Sequence, residues 1–200
     1  MKVLNLYAGI GGNRKLWQDV EVTAIEWDKD IAAIYKDYFP DDMVVIADAH
    51  QYLLDHYKEF DFIWSSPPCP THSKLRYLQK KKVYPDIKIY QEILMLKHWF
   101  KAKWIVENVI PYYEPLIIPT ANLHRHIFWS NFPITYFKTK QLKTGKAKKE
   151  RQLLQKEFGF NLDRYKDVDK RLLLRNCVNP KLGLHIFNCG LKDKQKVLIQ

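Results

Sequence analysis

The sequence predicts an α/β fold, a mainly parallel sheet with helices on both faces. Three observations predict it. Short apolar runs alternate with helical patterns through the first half of the chain, as in sheets whose crossovers are helices. A glycine-rich turn follows the first run, the place where doubly wound sheets open toward a ligand. The 200 residues, 46% of them hydrophobic, suffice for one domain with a buried core and argue against disorder.

The elements follow in order. Residues 3–7 read as a buried strand, and Leu16 and Trp17 fall in a short helix after the glycine turn. Residues 22–26 are a second strand. The helix after it carries Ile31, Ile34, Tyr35 and Tyr38 at helical spacing. Residues 44–46 are a third strand, 52–57 a helical stretch, and 60–64 a fourth strand. Asp86, after Pro85, is the expected N-cap of a helix presenting Ile87, Tyr90, Ile93 and Leu94. Residues 104–107 are a fifth strand. The order weakens after Pro119. Residues 127–129 read as a later strand of the same sheet, 138–151 as a basic exposed loop or helix start, 153–158 as helical, and 178–187 as a final packed helix. No internal repeat and no second domain of ordinary size is visible.

The net charge of +11 favours a polyanionic partner, since each lysine or arginine near a phosphate releases counterions. A solubilising surface charge is the bland alternative. An anionic membrane surface lacks a basic amphipathic helix to support it. The three cysteines, Cys69, Cys177 and Cys189, are too few and too widely spaced for a disulfide framework. Without a CxxC pair no zinc site, and no metal, is expected. No apolar run reaches transmembrane length, and the opening MKVLNLYAG has no leader pattern. A soluble protein of the reducing cytoplasm is expected.

Four motifs carry chemistry. Tyr7-Ala8-Gly9-Ile10-Gly11-Gly12 follows the first strand, where glycines let the backbone approach a nucleotide-like ligand; an ordinary tight turn is the structural alternative. Glu26 ends the second strand and can accept from both hydroxyls of a ribose, while Trp27 can cover an adenine; a solvated strand-end acid is the alternative. Asp48, after the third strand, suits an adenine amino group or simply caps the next helix. Ser65-Ser66-Pro67-Pro68-Cys69-Pro70 follows the fourth strand, and its prolines present Cys69 on a stiff loop. A buried structural cysteine fits that loop poorly. A nearby cation or helix terminus would be needed to lower the thiol pKa. Glu107-Asn108-Val109 ends the fifth strand at the same edge, where an acid near a thiol suits protonation of a ring. A strand-end acid paired with a lysine is the alternative.

In this order and spacing the four pieces resemble the DNA cytosine-5 methyltransferase family. The similarity runs from LNLYAGIGG through EWD, the Pro-Pro-Cys loop, ENV and RHIFWSNFP to Asn176-Cys177-Val178, which is similar to the family's final Asn-x-Val. The resemblance implies a class I methyltransferase (Rossmann-like) fold, S-adenosylmethionine as methyl donor and S-adenosylhomocysteine as product. It implies that Cys69 adds to C6 of cytosine while Glu107 donates to N3 and holds the exocyclic amine. Carbon 5 then takes the methyl group, on a base flipped out of the stack. Tyr7, Ala8, Gly9, Ile10, Gly11 and Gly12 would line the cofactor pocket with Glu26, Trp27, Asp48, Ala49 and Pro67, and Asn176 and Val178 would close it. Residues 71–76 match the family's mobile loop over DNA. Ser73, Arg76, Lys80, Lys81, Lys82 and Asn108 are the candidate DNA contacts, with a solvated lysine run as the alternative for the three lysines.

Two departures stand out. Where the family carries Arg-x-Arg before the aromatic strand, this chain reads His124-Arg125-His126, so Arg125 or His126 is expected to hold the base and the developing charge. A full target-recognition domain does not fit between the aromatic strand and the final motif. The chain is therefore read as one methyltransferase domain, 1–200. Within it 132–170 is a reduced, basic target-recognition insert, and 171–200 returns to the cofactor pocket. Short or relaxed specificity, or a protein partner that supplies it, follows. DNA is the expected substrate. An RNA cytosine methyltransferase and a catalytically silent DNA-binding or regulatory relative are the rivals.

Overall fold

The computed structural model describes residues 1–74, 76, 83–138 and 147–192. Among these residues seven strands form one sheet: β1 (Lys2–Leu6), β2 (Glu21–Ile25), β3 (Met43–Val45), β4 (Phe62–Ser65), β5 (Lys103–Val109), β6 (Ala121–Leu123) and β7 (His126–Ser130). Their order is β3-β2-β1-β4-β5-β7-β6. The first five run parallel, and β7 lies antiparallel to β5 and β6. The helices are α1 (Lys29–Tyr38), α2 (Ala49–His56), α3 (Lys88–Trp99), α4 (Ala147–Phe158), α5 (Lys170–Asn176) and α6 (Pro180–Leu191).

Alternation along each strand sends side chains to opposite faces. Leu4, Leu6, Ile63, Val106, Ile127 and Trp129 pack with Leu53 of α2 and with Ile89, Ile93 and Leu96 of α3. Val3, Phe62, Trp64, Ile105 and Phe128 pack with Leu182, Ile186 and Phe187 of α6. A third cluster joins Ile34 and Tyr35 of α1 to Leu173 and Leu174 of α5. Helices therefore cover both faces, as the sequence predicts. Asp28, Asp48, Asp169 and Asn179 cap α1, α2, α5 and α6, and Pro180 takes the first position of α6, where its missing N–H costs nothing.

Several expectations need correction. Residues 12–16, Leu16 among them, form turns and Trp17 lies in the irregular chain after them, so no helix forms there. The segment is committed to tertiary contacts: Trp17 stacks on Phe187 at 4.6 Å, and Arg14 pairs with Asp42 at 2.9 Å. Helix α3 starts at Lys88, and its N-cap is Ile87, which makes no side-chain cap bond; Asp86 accepts from the Lys88 N–H at 3.1 Å. Tyr90 and Ile93 are buried as expected, but Ile87, the N-cap, and Leu94 are exposed, and buried Glu92 shares the inner face with Ile89 and Leu96. Helix α4 begins well before residue 153, and α6 begins at Pro180 instead of Val178. The short β6 and α5 are not foreseen. Most of the basic stretch 138–151 lies outside the described residues.

Candidate active site

The parallel strands end together. Leu6 stands beside Ile25 and Ser65, and Ser65 beside Val106. The residues that follow emerge at one level along the sheet's carboxyl edge. Strand order reverses at β1 and β4, where a crevice opens. It holds a cleft of about 930 Å³.

The first wall is the turn after β1, from which Tyr7, Ala8, Gly9, Ile10 and Gly12 reach the cleft. Tyr7 has a φ of 55°, a conformation rare for an aromatic residue. The Gly9 N–H donates to Glu26 Oε2 at 2.8 Å, and Glu26 Oε1 accepts from the Asp28 N–H at 3.1 Å. Backbone donors thus orient Glu26, and each carboxylate oxygen keeps a further lone pair for a diol. Trp27 stands at the rim, 77% exposed, with a ring face available for stacking. Asp48 and Ala49 line the cleft, and Asp48 also accepts from the Gln51 N–H at 2.9 Å, so both sequence alternatives for it are compatible.

Gly11, expected at the ligand, does not line the cleft. Its φ is 80°, and a Cβ there would stand 2.3 Å from the Phe39 ring, so glycine serves the packing of α1. A Cβ on Gly12 would lie 2.7 Å from Cys177 Cβ and from Val178 O. That close approach brings Asn176 and Val178 to the cleft.

The second wall is the loop after β4. The Asn108 side-chain amide donates to Pro67 O at 2.9 Å, tying the Pro-Pro-Cys loop to the end of β5. Asn108 is 3% exposed and its amide is engaged there, which suits a loop-shaping role better than the expected DNA contact. Past Cys69 the chain turns at once, because Cys69 O accepts from the N–H groups of His72 and Ser73 at 2.9 and 3.0 Å. His72 Nδ1 meets the Tyr113 hydroxyl at 2.6 Å, which pins the base of the segment expected to be a mobile loop. Ser73 and Arg76 line the cleft; Lys80, Lys81 and Lys82 lie outside the described residues.

Cys69 and Glu107 share this end of the cleft with Arg125 and His126. Burial, then the Glu107 carboxyl, pushes the Cys69 thiol up, and Arg125 pulls it down less strongly. The resting thiol is therefore not pre-ionised. Burial pushes the Glu107 carboxyl up to about 7, against the lowering influence of Ser66 and Arg125. His126 Nε2 lies 3.6 Å from Glu107 Oε1. Burial and the Arg125 charge drive its imidazole down to about 3, so it is neutral. The Arg125 guanidinium donates to Arg175 O, and the Arg125 carbonyl accepts from the Ile110 N–H at 3.0 Å. The two candidates thus part: His126 faces Glu107, and Arg125 is turned to the end of α5.

Sequence reasoning missed His50, His72, Arg171 and Arg175, which also line the cleft. Only the arginines carried a signal, their spacing of four on one helical face. No group of metal-ligating residues occurs among the described residues.

A family model described as C-5 cytosine-specific DNA methylase matches residues 1–110. Comparison with curated proteins finds no match. A solved mutant of Spodoptera frugiperda DNMT2 is similar at 27% identity over 54% of this chain and 35% of that one, with a TM-score of 0.41. The match thus spans about a third of that protein. A putative DNA modification methyltransferase encoded within an Escherichia coli prophage is similar at 17% identity over 57% of this chain and 33% of that one, with a TM-score of 0.40. The Entamoeba histolytica methyltransferase EhMeth is 11% identical over 96% of this chain and 99% of that one, and its TM-score of 0.53 marks a shared fold. With the family match over more than half its length, this class I methyltransferase fold belongs to the C-5 cytosine-specific DNA methylase family.

Proposed function

We propose that the chain transfers a methyl group to carbon 5 of cytosine in DNA through a covalent adduct on Cys69. The observation that carries this reading is the junction of two loops. The Asn108 bond to Pro67 O ties the cysteine loop to the strand bearing Glu107, so thiol and acid open into one cleft. The cleft suits S-adenosylmethionine: open space lies beside Gly9, where a Cβ would meet nothing within 4 Å, and Glu26, Trp27 and Asp48 stand at neighbouring strand ends. When bound, that donor supplies the methyl group as an electrophile and leaves as S-adenosylhomocysteine.

The chain's own residues do the rest. Cys69 gives its proton to solvent and its sulfur forms a bond to C6, as the C5–C6 double bond opens toward C5. Glu107, protonated near neutral pH, gives its proton to N3 and so drains electron density from the ring. Neutral His126 beside Glu107 holds the base without the second positive charge that an arginine would bring. After methyl transfer the C5 proton passes to solvent, the C6–S bond breaks with Cys69 leaving as thiolate, and the N3 proton returns to Glu107, which restores the aromatic ring. The buried acid is reached only by an extruded base. Ser73 and Arg76 are proposed at the nucleic-acid backbone, with Lys80, Lys81 and Lys82. The reduced region 132–170 is proposed to give short or relaxed specificity, alone or with a protein partner, in the cytoplasm. Among the described residues no helix is long and apolar enough to cross a membrane.

Incubation with S-adenosylmethionine and 5-fluorocytosine-containing DNA, or the matching RNA, tests the reading. A denaturation-resistant adduct on DNA supports it. An adduct on RNA alone moves the substrate, and no adduct on either removes the enzyme.

A further inference from the structure

Glu92 has no part in the mechanism, yet it is fully buried in the middle of α3. A buried carboxylate is costly unless its lone pairs are satisfied, and here three groups converge on it. The Tyr7 hydroxyl donates to Oε1 at 2.6 Å, the Ser65 hydroxyl donates to Oε2 at 2.6 Å, and His50 Nδ1 meets Oε1 at 3.1 Å. These partners come from three separate elements of the site: the glycine turn, the residue that leads into the Pro-Pro-Cys loop, and the first turn of α2. Tyr7 is the residue held at a φ of 55°. Its bond to Glu92 anchors the ring while the backbone turns, and Tyr7 and His50 both line the cleft. With Nδ1 engaged by Glu92, the remaining hydrogen-bonding atom of His50 is Nε2.

We propose that Glu92 is the positioning residue of the donor side of the cleft, and that His50, fixed by it, contacts the nucleoside of the methyl donor. The hydrogen bond to Glu92 raises the imidazole pKa, opposed by burial and by Lys88, and Asp48 acts in the same direction as Glu92. Burial and Glu92 keep the Tyr7 phenol protonated. The polar frame thus persists at neutral pH whichever form His50 takes.

The inference rests on the methyltransferase reading, and one calorimetric series separates the two. S-adenosylmethionine and S-adenosylhomocysteine are titrated into the full chain, wild type, Glu92→Gln and His50→Ala, with steady-state constants for each. Both variants are expected to bind the two nucleosides about tenfold more weakly, the cost of an unpaired polar contact. The KM for the donor should rise while kcat at saturating donor stays nearly constant, a split that general loss of folding would not produce. Wild-type affinity in folded Glu92→Gln overturns the positioning role. Wild-type affinity in His50→Ala, whose partly exposed side chain can be removed without opening the core, overturns the contact. If Glu92→Gln does not fold, Ser65→Ala removes one partner of the carboxylate and is judged by the same split. A wild-type protein that binds neither nucleoside overturns the reading beneath.

Discussion

The two halves of the chain reach one cleft by different means. Up to residue 110, site residues stand at strand ends or on the loops that follow them and are held by side-chain bonds to backbone groups: Glu26 by the Gly9 N–H, and the Cys69 loop by Asn108 through Pro67 O. Beyond it, His126 stands on β7 beside Glu107, while Arg171, Arg175 and Asn176 arrive on α5, and Arg171 is itself held by Glu150 of α4 at 2.6 Å. Bond making tolerates little displacement, so its groups sit on the rigid sheet edge. Attraction to a polyanion falls off slowly with distance and suits side chains on peripheral helices. The family match covers the first half and stops there.

The comparison can be broken by substitution, starting with the sheet edge. Cys69→Ser should abolish the adduct and lower turnover by about 10⁴-fold or more. Glu107→Gln should lower turnover by about 10²- to 10⁴-fold, as loss of a general acid does. Residual turnover near wild type in either, measured by nucleoside mass spectrometry, would place the chemistry elsewhere.

The pH profile sharpens the same point. In the proposed mechanism Glu107 works protonated, so the rate should fall as pH rises through about 7. Cys69 works ionised, and its raised pKa makes the rate fall as pH drops. A bell is expected, with its maximum where few molecules hold both forms at once. A profile flat from roughly pH 6 to pH 9, which spans the approach to an ordinary thiol pKa, would contradict this pairing.

The junction between the halves is tested by Gly12→Ala. The added methyl meets Cys177 Cβ and Val178 O at 2.7 Å, and overpacking of this kind costs about 1–3 kcal/mol, read as a lower Tm. His126→Ala should lower turnover by about two- to tenfold, more than Arg125→Ala does, because the histidine stands 3.6 Å from the acid while the guanidinium is engaged by Arg175 O. The smallest effect belongs to the helical half. Lys148, Arg151, Lys170 and Arg171 surround a second hollow that shares Asp169 and Arg171 with the cleft. Replacing Lys148 and Lys170 by alanine should make the plot of log affinity for duplex against log salt shallower, by about 0.9 for each phosphate no longer neutralised. An unchanged slope would send the nucleic acid elsewhere.

Much of the fold was legible because it rests on local pattern. Alternating apolar runs identified the five parallel strands, and Asp48 showed as a cap. The inner face of α3 was legible only in part: Tyr90 and Ile93 are buried as read, but Glu92 lies beside them, and nothing local shows that Tyr7, Ser65 and His50 will converge on it. Trp17 failed for the same reason, since its stacking partner Phe187 lies at the far end of the chain.

By itself the sequence determined the architecture, the order of the strand-end motifs and the pairing of a stiffened thiol loop with an acid, because turn glycines, prolines and apolar periodicity act over a few residues. Tertiary structure alone decided which groups stay neutral and which of His126 and Arg125 faces Glu107. It also decided that Gly11 serves packing and that Tyr7, Ser65 and His50 converge on Glu92. Those outcomes depend on burial and on contacts between residues far apart in the chain, where desolvation outweighs the intrinsic preference of each side chain.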